Sequence, residues 1–366
     1  MLVKQFDAFW IYSCLPSISS TPLQQIIQNQ APIGKFCDYN DVMLKKSSAS
    51  LSSGYILGFK MDAEGVTIAY GNHSGIISER AGFKPDPAQS FQSFLGLVSQ
   101  HSDKLLNIIQ AQHLPLPELV SISIAGSYNA QQGLLTSSRD FPSWKNEPLK
   151  SQFQLLFNLP TVIEKAADAG ALAEMLFGTA QNLKDFSFID LGPNISLANV
   201  LNTKLQAPVS PHAGLIGRNK LPQFKKEAED YTPTLNDLCS SAGIVAQAIS
   251  TQASHWDPEV TVYQIINAAL NDDPYAIERL AEAGTALGQG LSPYIHLLRQ
   301  DMILIGFPLC LAGELFSEPV FKSAQMSSGL GLEEMPKIVG SALGNRLPEL
   351  QALAPAIHAV RNQTQA

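Results

Sequence analysis

Four cysteines are scattered through 366 residues, at Cys14, Cys37, Cys239 and Cys310, and no two stand at a paired spacing. That scatter speaks against both a disulfide framework and a zinc knuckle, and leaves the four as packing residues. Charge is also scarce. Only 15% of the chain is Asp, Glu, Lys or Arg, and acids outnumber bases to a formal net charge of −8. Such a balance argues against a surface coated for nucleic acid, although a small basic face fits inside an acidic whole. Long apolar runs are missing as well. MILIGFPLCLAGELF, from Met302, stops near fifteen residues and carries Gly and Pro, so no membrane span is expected. The start, MLVKQFDAFWIYSCLP, lacks a basic n-region and a small-residue cleavage site, which points to a cytoplasmic location. His73, His101, His113, His255, His296 and His358 show no ligand spacing, and neither a metal site nor a cofactor is expected.

What is present is a folded chain, 45% hydrophobic, long enough for two or three domains at roughly 100 to 200 residues each. Residues 1–46 read as three short helical patterns. Thr21 is placed to cap the second, with Pro22 at its first helical position. Three short helices with tight joints suit a helix-turn-helix. Residues 47–54 form a Ser-rich linker. From Tyr55 the pattern turns to alternating strands around Gly65 and Gly75. A helix follows from about Pro87 to Gln112, then the strand VSISIAG from Val120. A second set begins with PTVIE at Pro160 and the helix AADAGALAEMLFG. It continues with the adjoining strands FSFIDLG and ISLANVLN, then helices from Leu235 to about Arg299 and the strand MILIGF. The expected fold class is α/β, with two RNase H-like lobes and a cleft between them. The first covers 55–165 and is completed by a C-terminal helix at 340–366; the second covers 166–339.

These segments resemble the ROK family (repressors, open reading frames, sugar kinases) over nearly the whole chain. Ser121 to Gly178 is similar to the family's strand, hairpin, "APN-L-PGW", short helix, "END" and Ala-rich helix ending in "FG", and HAGLIGR, His212 to Arg218, looks like its "GAAGEIGH". The resemblance implies an actin-like, two-lobed ATPase-type fold. LVKQ, the segment around Pro16 to Ser19, and Ala31-Pro32 look like the N-acetylglucosamine-repressor branch, which implies a winged helix-turn-helix head.

The departures from the family pattern decide the functional expectation. The family's "DxGGT" glycines admit nucleotide phosphates and its Asp helps hold the metal; the matching positions here are Lys60, Asp62, Ala63 and Glu64. The second phosphate loop, "GTGIGAG", reads GPNISLAN from Gly192, where Pro193 removes a donor and Ser196 adds a Cβ. The Asp of "END", which accepts the sugar proton, is Ala166. Asp168 lies two residues on, a shift that aims its carboxylate elsewhere. The Glu and His of "GEIGH" are Leu215 and Arg218, and the cysteine cluster that would hold zinc is absent.

No catalytic residue is therefore expected. The expected ligand pocket is Asp140, Glu164, Lys165, Asp168, His212 and Arg218, for a sugar or sugar phosphate, with Lys165 and Arg218 as anion partners; the alternative is that these are solvated rim residues of an empty cleft. Lys35, Lys45 and Lys46 are the expected DNA contacts. They are sparse, because the segment PIGKFCDYNDVML sets Lys35 against Asp38 and Asp41 and the wing is reduced to KKSSASLSS. The expectation is a non-enzymatic, dimeric or tetrameric transcriptional regulator of carbohydrate metabolism with a DNA operator. The alternative is a catalytically dead kinase relative that acts through protein partners.

Overall fold

The structure is a computed structural model and describes residues 54–206, 210–225, 230–250 and 256–365. The helix-turn-helix expected at 1–46, with Lys35, Lys45 and Lys46, and the linker up to residue 53 lie outside the described residues.

Two five-stranded sheets repeat one topology. In the first, β1 (Tyr55–Met61), β2 (Val66–Asn72) and β3 (Ile77–Phe83) form an antiparallel meander, and β4 (Pro117–Ile124) and β8 (Thr161–Lys165) extend it in parallel, in the order β3-β2-β1-β4-β8. In the second, β9 (Phe186–Leu191) pairs antiparallel with β10 (Ile195–Leu201), which carries the short β11 (Lys204–Leu205). On its other side β9 is continued in parallel by β12 (Met302–Ile305) and β13 (Lys337–Gly340). β13 was not among the expected strands, because KIVG is too short to signal one and exists by pairing with β12. The C-terminal helix accordingly starts later than the expected residue 340. A small sheet of β5 (Ser127–Asn129), β6 (Leu134–Ser137) and β7 (Lys145–Glu147) caps the first lobe.

α1 (Phe91–Ala111), capped by Ser90, and α2 (Leu149–Phe157) cover the outer face of the first sheet. Phe91, Phe94, Val98 and Phe153 bury there against Phe59, Val120 and Ile122. The outer face of the second sheet is covered by α4 (Leu235–Cys239), α5 (Ser241–Ser250), α6 (Val262–Leu270), α7 (Pro274–Leu298) and α8 (Glu314–Ser328).

Between the sheets lie α3 (Ala166–Phe177), which packs on β9 and β10, and α9 (Leu347–Gln365), which packs on β1, β2 and β4; the two helices also pack on each other. Small residues permit this close stacking. A Cβ on Gly58 would meet Ala352 O at 2.7 Å, and one on Gly170 would meet Phe188 Cε1 at 2.2 Å. The Ala run of α3 is thus a packing surface for a sheet and a helix at once.

Candidate functional site

The two sheets end in equivalent hairpin turns that face one another. In the β1–β2 turn, Asp62 Oδ1 accepts from the backbone N–H groups of Glu64 at 2.9 Å and Gly65 at 3.0 Å, an arrangement that a short acceptor side chain makes locally. The other carboxylate oxygen of Asp62 takes the Lys60 ammonium, and the pair is buried. Asp190, at the end of β9, faces the same point: a Cβ on Gly192 would lie 3.7 Å from Asp190 Oδ2 and 3.8 Å from Asp62 Oδ2. Burial alone would lower the Lys60 pKa, but the Asp62 and Asp190 charges more than reverse that and raise it. Asp190 is pushed up to about 6 by burial, against the pull of Lys60. Beside this pair the Ser241 hydroxyl, at the start of α5, donates to the Glu64 carboxylate. Burial, followed by the Asp62 charge, pushes Glu64 up to about 7.

Asp140 stands at the other side of the turn, on a segment fixed by Trp144, whose ring stacks on Phe141 at 4.0 Å and whose Nε1 donates to Gln89 O at 3.0 Å. Its Oδ2 accepts from Ala63 N at 3.0 Å, and its Oδ1 accepts from the Asn194 side chain in the β9–β10 turn. Asn194 Oδ1 in turn accepts from Asn236 Nδ2 at 3.1 Å, and Asn236 Oδ1 accepts from Ile195 N at 2.8 Å. Asp140 is 3% exposed, so it is a buried link between the lobes and not a solvated rim residue. Burial and the Asp62 charge push it up to about 7. This network borders a cavity of about 20 Å³, lined among others by Arg139, Asp140, Asn194, Arg218 and Asn236. That room suits one water, which needs about 10 to 15 Å³, and not a hexose.

The remaining expected pocket residues form a second cluster at the β8–α3 junction. Lys165 Nζ donates to Ala213 O at 2.8 Å and pairs with Asp168 Oδ2 at 3.5 Å. Both side chains are buried and engaged, so Lys165 is a partner of the protein's own backbone and carboxylate, and this corrects its expected role as a free anion contact. Glu164 is pushed up to about 7 by burial and the Asp168 charge; burial also raises Asp168, opposed by Lys165. His212 is exposed and lies 2.8 Å from the buried Ser127 hydroxyl through Nδ1. The structure therefore brings Asp140 and Arg218 to one cavity and sets Glu164, Lys165 and Asp168 in another cluster.

Ala166 is the first residue of α3 and is buried; its carbonyl accepts from Gln351 Nε2 of α9 at 2.7 Å, and the same amide reaches Asp190 Oδ1 at 3.4 Å. Asn194, Asn236, Ser241 and Gln351 all lie outside the expected site residues. A polar turn between two apolar strands could have flagged Asn194. Asn236 and Ser241 sit at helix starts, where polar residues ordinarily serve as caps, and nothing local marks them as junction residues. Among the described residues no group of three or more His, Cys, Asp or Glu is placed to hold a metal ion, and no helix is long and apolar enough to cross a membrane.

This architecture has close counterparts. The chain is 24% identical over 318 residues to a xylose repressor from Caldicellulosiruptor bescii, covering 83% of this chain and 78% of that one. A crystal structure of a ROK family transcriptional regulator, a homolog of the E. coli MLC protein, superposes with a TM-score of 0.70 at 21% identity, over 85% of this chain and 79% of that one. The ROK family glucokinase from Streptomyces griseus, solved with glucose and AMPPNP, superposes with a TM-score of 0.67 at 20% identity, over 83% and 99%. At these identities the structural likenesses establish the actin-like two-lobed fold. The ROK family model matches residues 87–346, most of the chain, and the protein belongs to the ROK family.

Proposed function

We propose that this protein is a ROK-type transcriptional regulator of carbohydrate metabolism and not a phosphotransferase. One observation carries the reading. The position that the family resemblance gives to the proton-accepting Asp holds Ala166, which has no side-chain acceptor and whose carbonyl is engaged by Gln351, and the nearest substitute, Asp168, is tied to Lys165. The first turn of α3 thus offers no carboxylate at residue 166 and, in Asp168, one already paired with Lys165. The β1–β2 turn adds to this, because the Glu64 side chain extends from it to accept from the Ser241 hydroxyl, in place of the glycines that the family's phosphate loop carries there. The xylose repressor among the relatives supports a regulator; the glucokinase fold match is the reason for testing activity directly.

In this reading the lobes respond to a sugar or sugar phosphate entering beside Asp140, Asn194, Asn236 and Arg218. The cavity there admits one water, so a sugar binds only as the lobes separate. Ligand binding then shifts lobe spacing, and with it the spacing of paired N-terminal reading heads in a dimer or tetramer. Lys35, Lys45 and Lys46 supply the phosphate contacts.

Two assays test the proposal on the full chain. No ATP turnover is expected with hexoses, pentoses or N-acetylhexosamines, and turnover above background would overturn the non-enzymatic reading. Genomic DNA fragments should be retained at low salt, where electrostatic binding is strongest. A chain that retains none favours a catalytically dead family member acting through protein partners, a reading to which the acidic composition around Lys35, with Asp38 and Asp41, gives specific support.

A further inference from the structure

The junction between the hairpin turns buries acidic groups from both lobes around one lysine. Asp62 and Glu64 come from the β1–β2 turn, Asp140 from the segment after β6, and Asp190 from the end of β9. Lys60 is the cation among them, with its ammonium on Asp62 Oδ2, and Asp190 Oδ2 of the other lobe faces that same oxygen, the two lying 3.7 and 3.8 Å from the Cβ position of Gly192. The neighbouring Asp190 oxygen turns to Gln351 of α9 at 3.4 Å. On the α5 side the contact to Glu64 is the neutral Ser241 hydroxyl. A buried charge is tolerated when it is paired and hydrogen-bonded, and removing one member of such a group leaves the rest uncompensated.

We propose that the Lys60 ammonium is a built-in counter-ion that holds the two lobes together, so that the joined form of this protein requires neither nucleotide nor metal. An ammonium flanked by carboxylates of both lobes does the electrostatic work that a bound cation would do. Because Lys60 is covalently part of β1, that work is done in every molecule, ligand or no ligand. The inference concerns the lobes only and stands whether or not the chain reads DNA or responds to a sugar.

The test compares the full chain with Lys60→Met, which keeps the length of the side chain and removes its charge, and with Lys60→Met combined with Asp62→Asn, which restores charge balance. Small-angle scattering and thermal melting are read at pH 7.5, with and without millimolar magnesium ATP. Wild type is expected to be compact in both conditions with an unchanged midpoint. Lys60→Met is expected to have a larger radius of gyration and a midpoint lower by on the order of 10 °C, or to fail to fold. The double variant is expected to regain most of the compactness and midpoint, which a loss of packing alone would not allow. The proposal is overturned if Lys60→Met is as compact and stable as wild type, if the double variant is no better than Lys60→Met, or if magnesium ATP compacts wild type.

Discussion

Gln351 Nε2 donates to the carbonyl oxygen of Ala166 over 2.7 Å, so the C-terminal helix α9 holds the start of α3, where the proposed reading puts the lost proton acceptor. The contact uses backbone at Ala166, and a side chain can therefore be restored there without removing it. Ala166→Asp is expected to remain without ATP turnover in a coupled ADP-release assay with glucose, xylose or N-acetylglucosamine, because Glu64 and Ser241 still close the β1–β2 turn. Burying a carboxylate that lacks a built partner should cost about 1–3 kcal/mol. Turnover in this variant would show that the nucleotide still finds a place.

Gly58 and Gly96 provide a matched pair for the packing argument. A Cβ at Gly58 meets Ala352 O at 2.7 Å and Leu353 Cδ2 at 2.8 Å, whereas one at Gly96, exposed within α1, meets nothing within 4 Å. Gly58→Ala should lower stability by about 1–3 kcal/mol through overpacking. Gly96→Ala should raise it by about 0.5–1 kcal/mol through helix propensity. Urea midpoints of the two variants measure both, and equal signs would refute the close-stacking account of α9 on the first sheet.

Asn236 carries the polar chain from the second lobe to Asp140. Asn236→Ala removes the acceptor of Ile195 N and the donor to Asn194 Oδ1 in one step. An unsatisfied buried N–H costs about 1–3 kcal/mol, and urea denaturation should show a loss of that size. A loss under about 0.5 kcal/mol, the ordinary surface value, would mean that the chain of bonds contributes little.

The junction carboxylates predict a pH dependence of stability. Glu64 and Asp140 sit at about 7 and Asp190 at about 6 in the folded protein, above ordinary values of 4.5, 3.8 and 3.8. The folded state thus binds protons more tightly than the unfolded chain. The contribution is fully present below the unfolded values and is lost as pH rises through the folded ones. The urea midpoint should fall between pH 5 and pH 8, by on the order of 1 kcal/mol per pH unit for each retained proton. Glu64→Gln, which keeps an acceptor for Ser241, should flatten the slope; a midpoint that rises across this window contradicts the assignment.

Much of the fold is legible in the residues because its signals are local. The alternation of β1 and β2, the two adjoining strands at Phe186 and Ile195, and the periodic run of α7 appear where the pattern places them. β13 does not, since four residues carry no periodicity and the strand exists only by pairing with β12. The candidate site divides along the same line. That residue 166 is an Ala, without a side-chain proton acceptor, is a matter of identity and needs no coordinates. That Lys165 is consumed by Ala213 O and Asp168 is a matter of approach between distant segments.

By itself, then, the amino-acid sequence determines the family, the repeated sheet and the absence of a proton acceptor at residue 166, since each depends on residue type at a position along the chain. Only the tertiary structure decides that Lys60, Asp62 and Asp190 converge, that Glu64 ends on Ser241, and that Asp140 is a buried link and not a rim. Those relations join residues 54 to 177 positions apart, and an ion pair or hydrogen bond becomes strong or costly only through the burial that folding imposes.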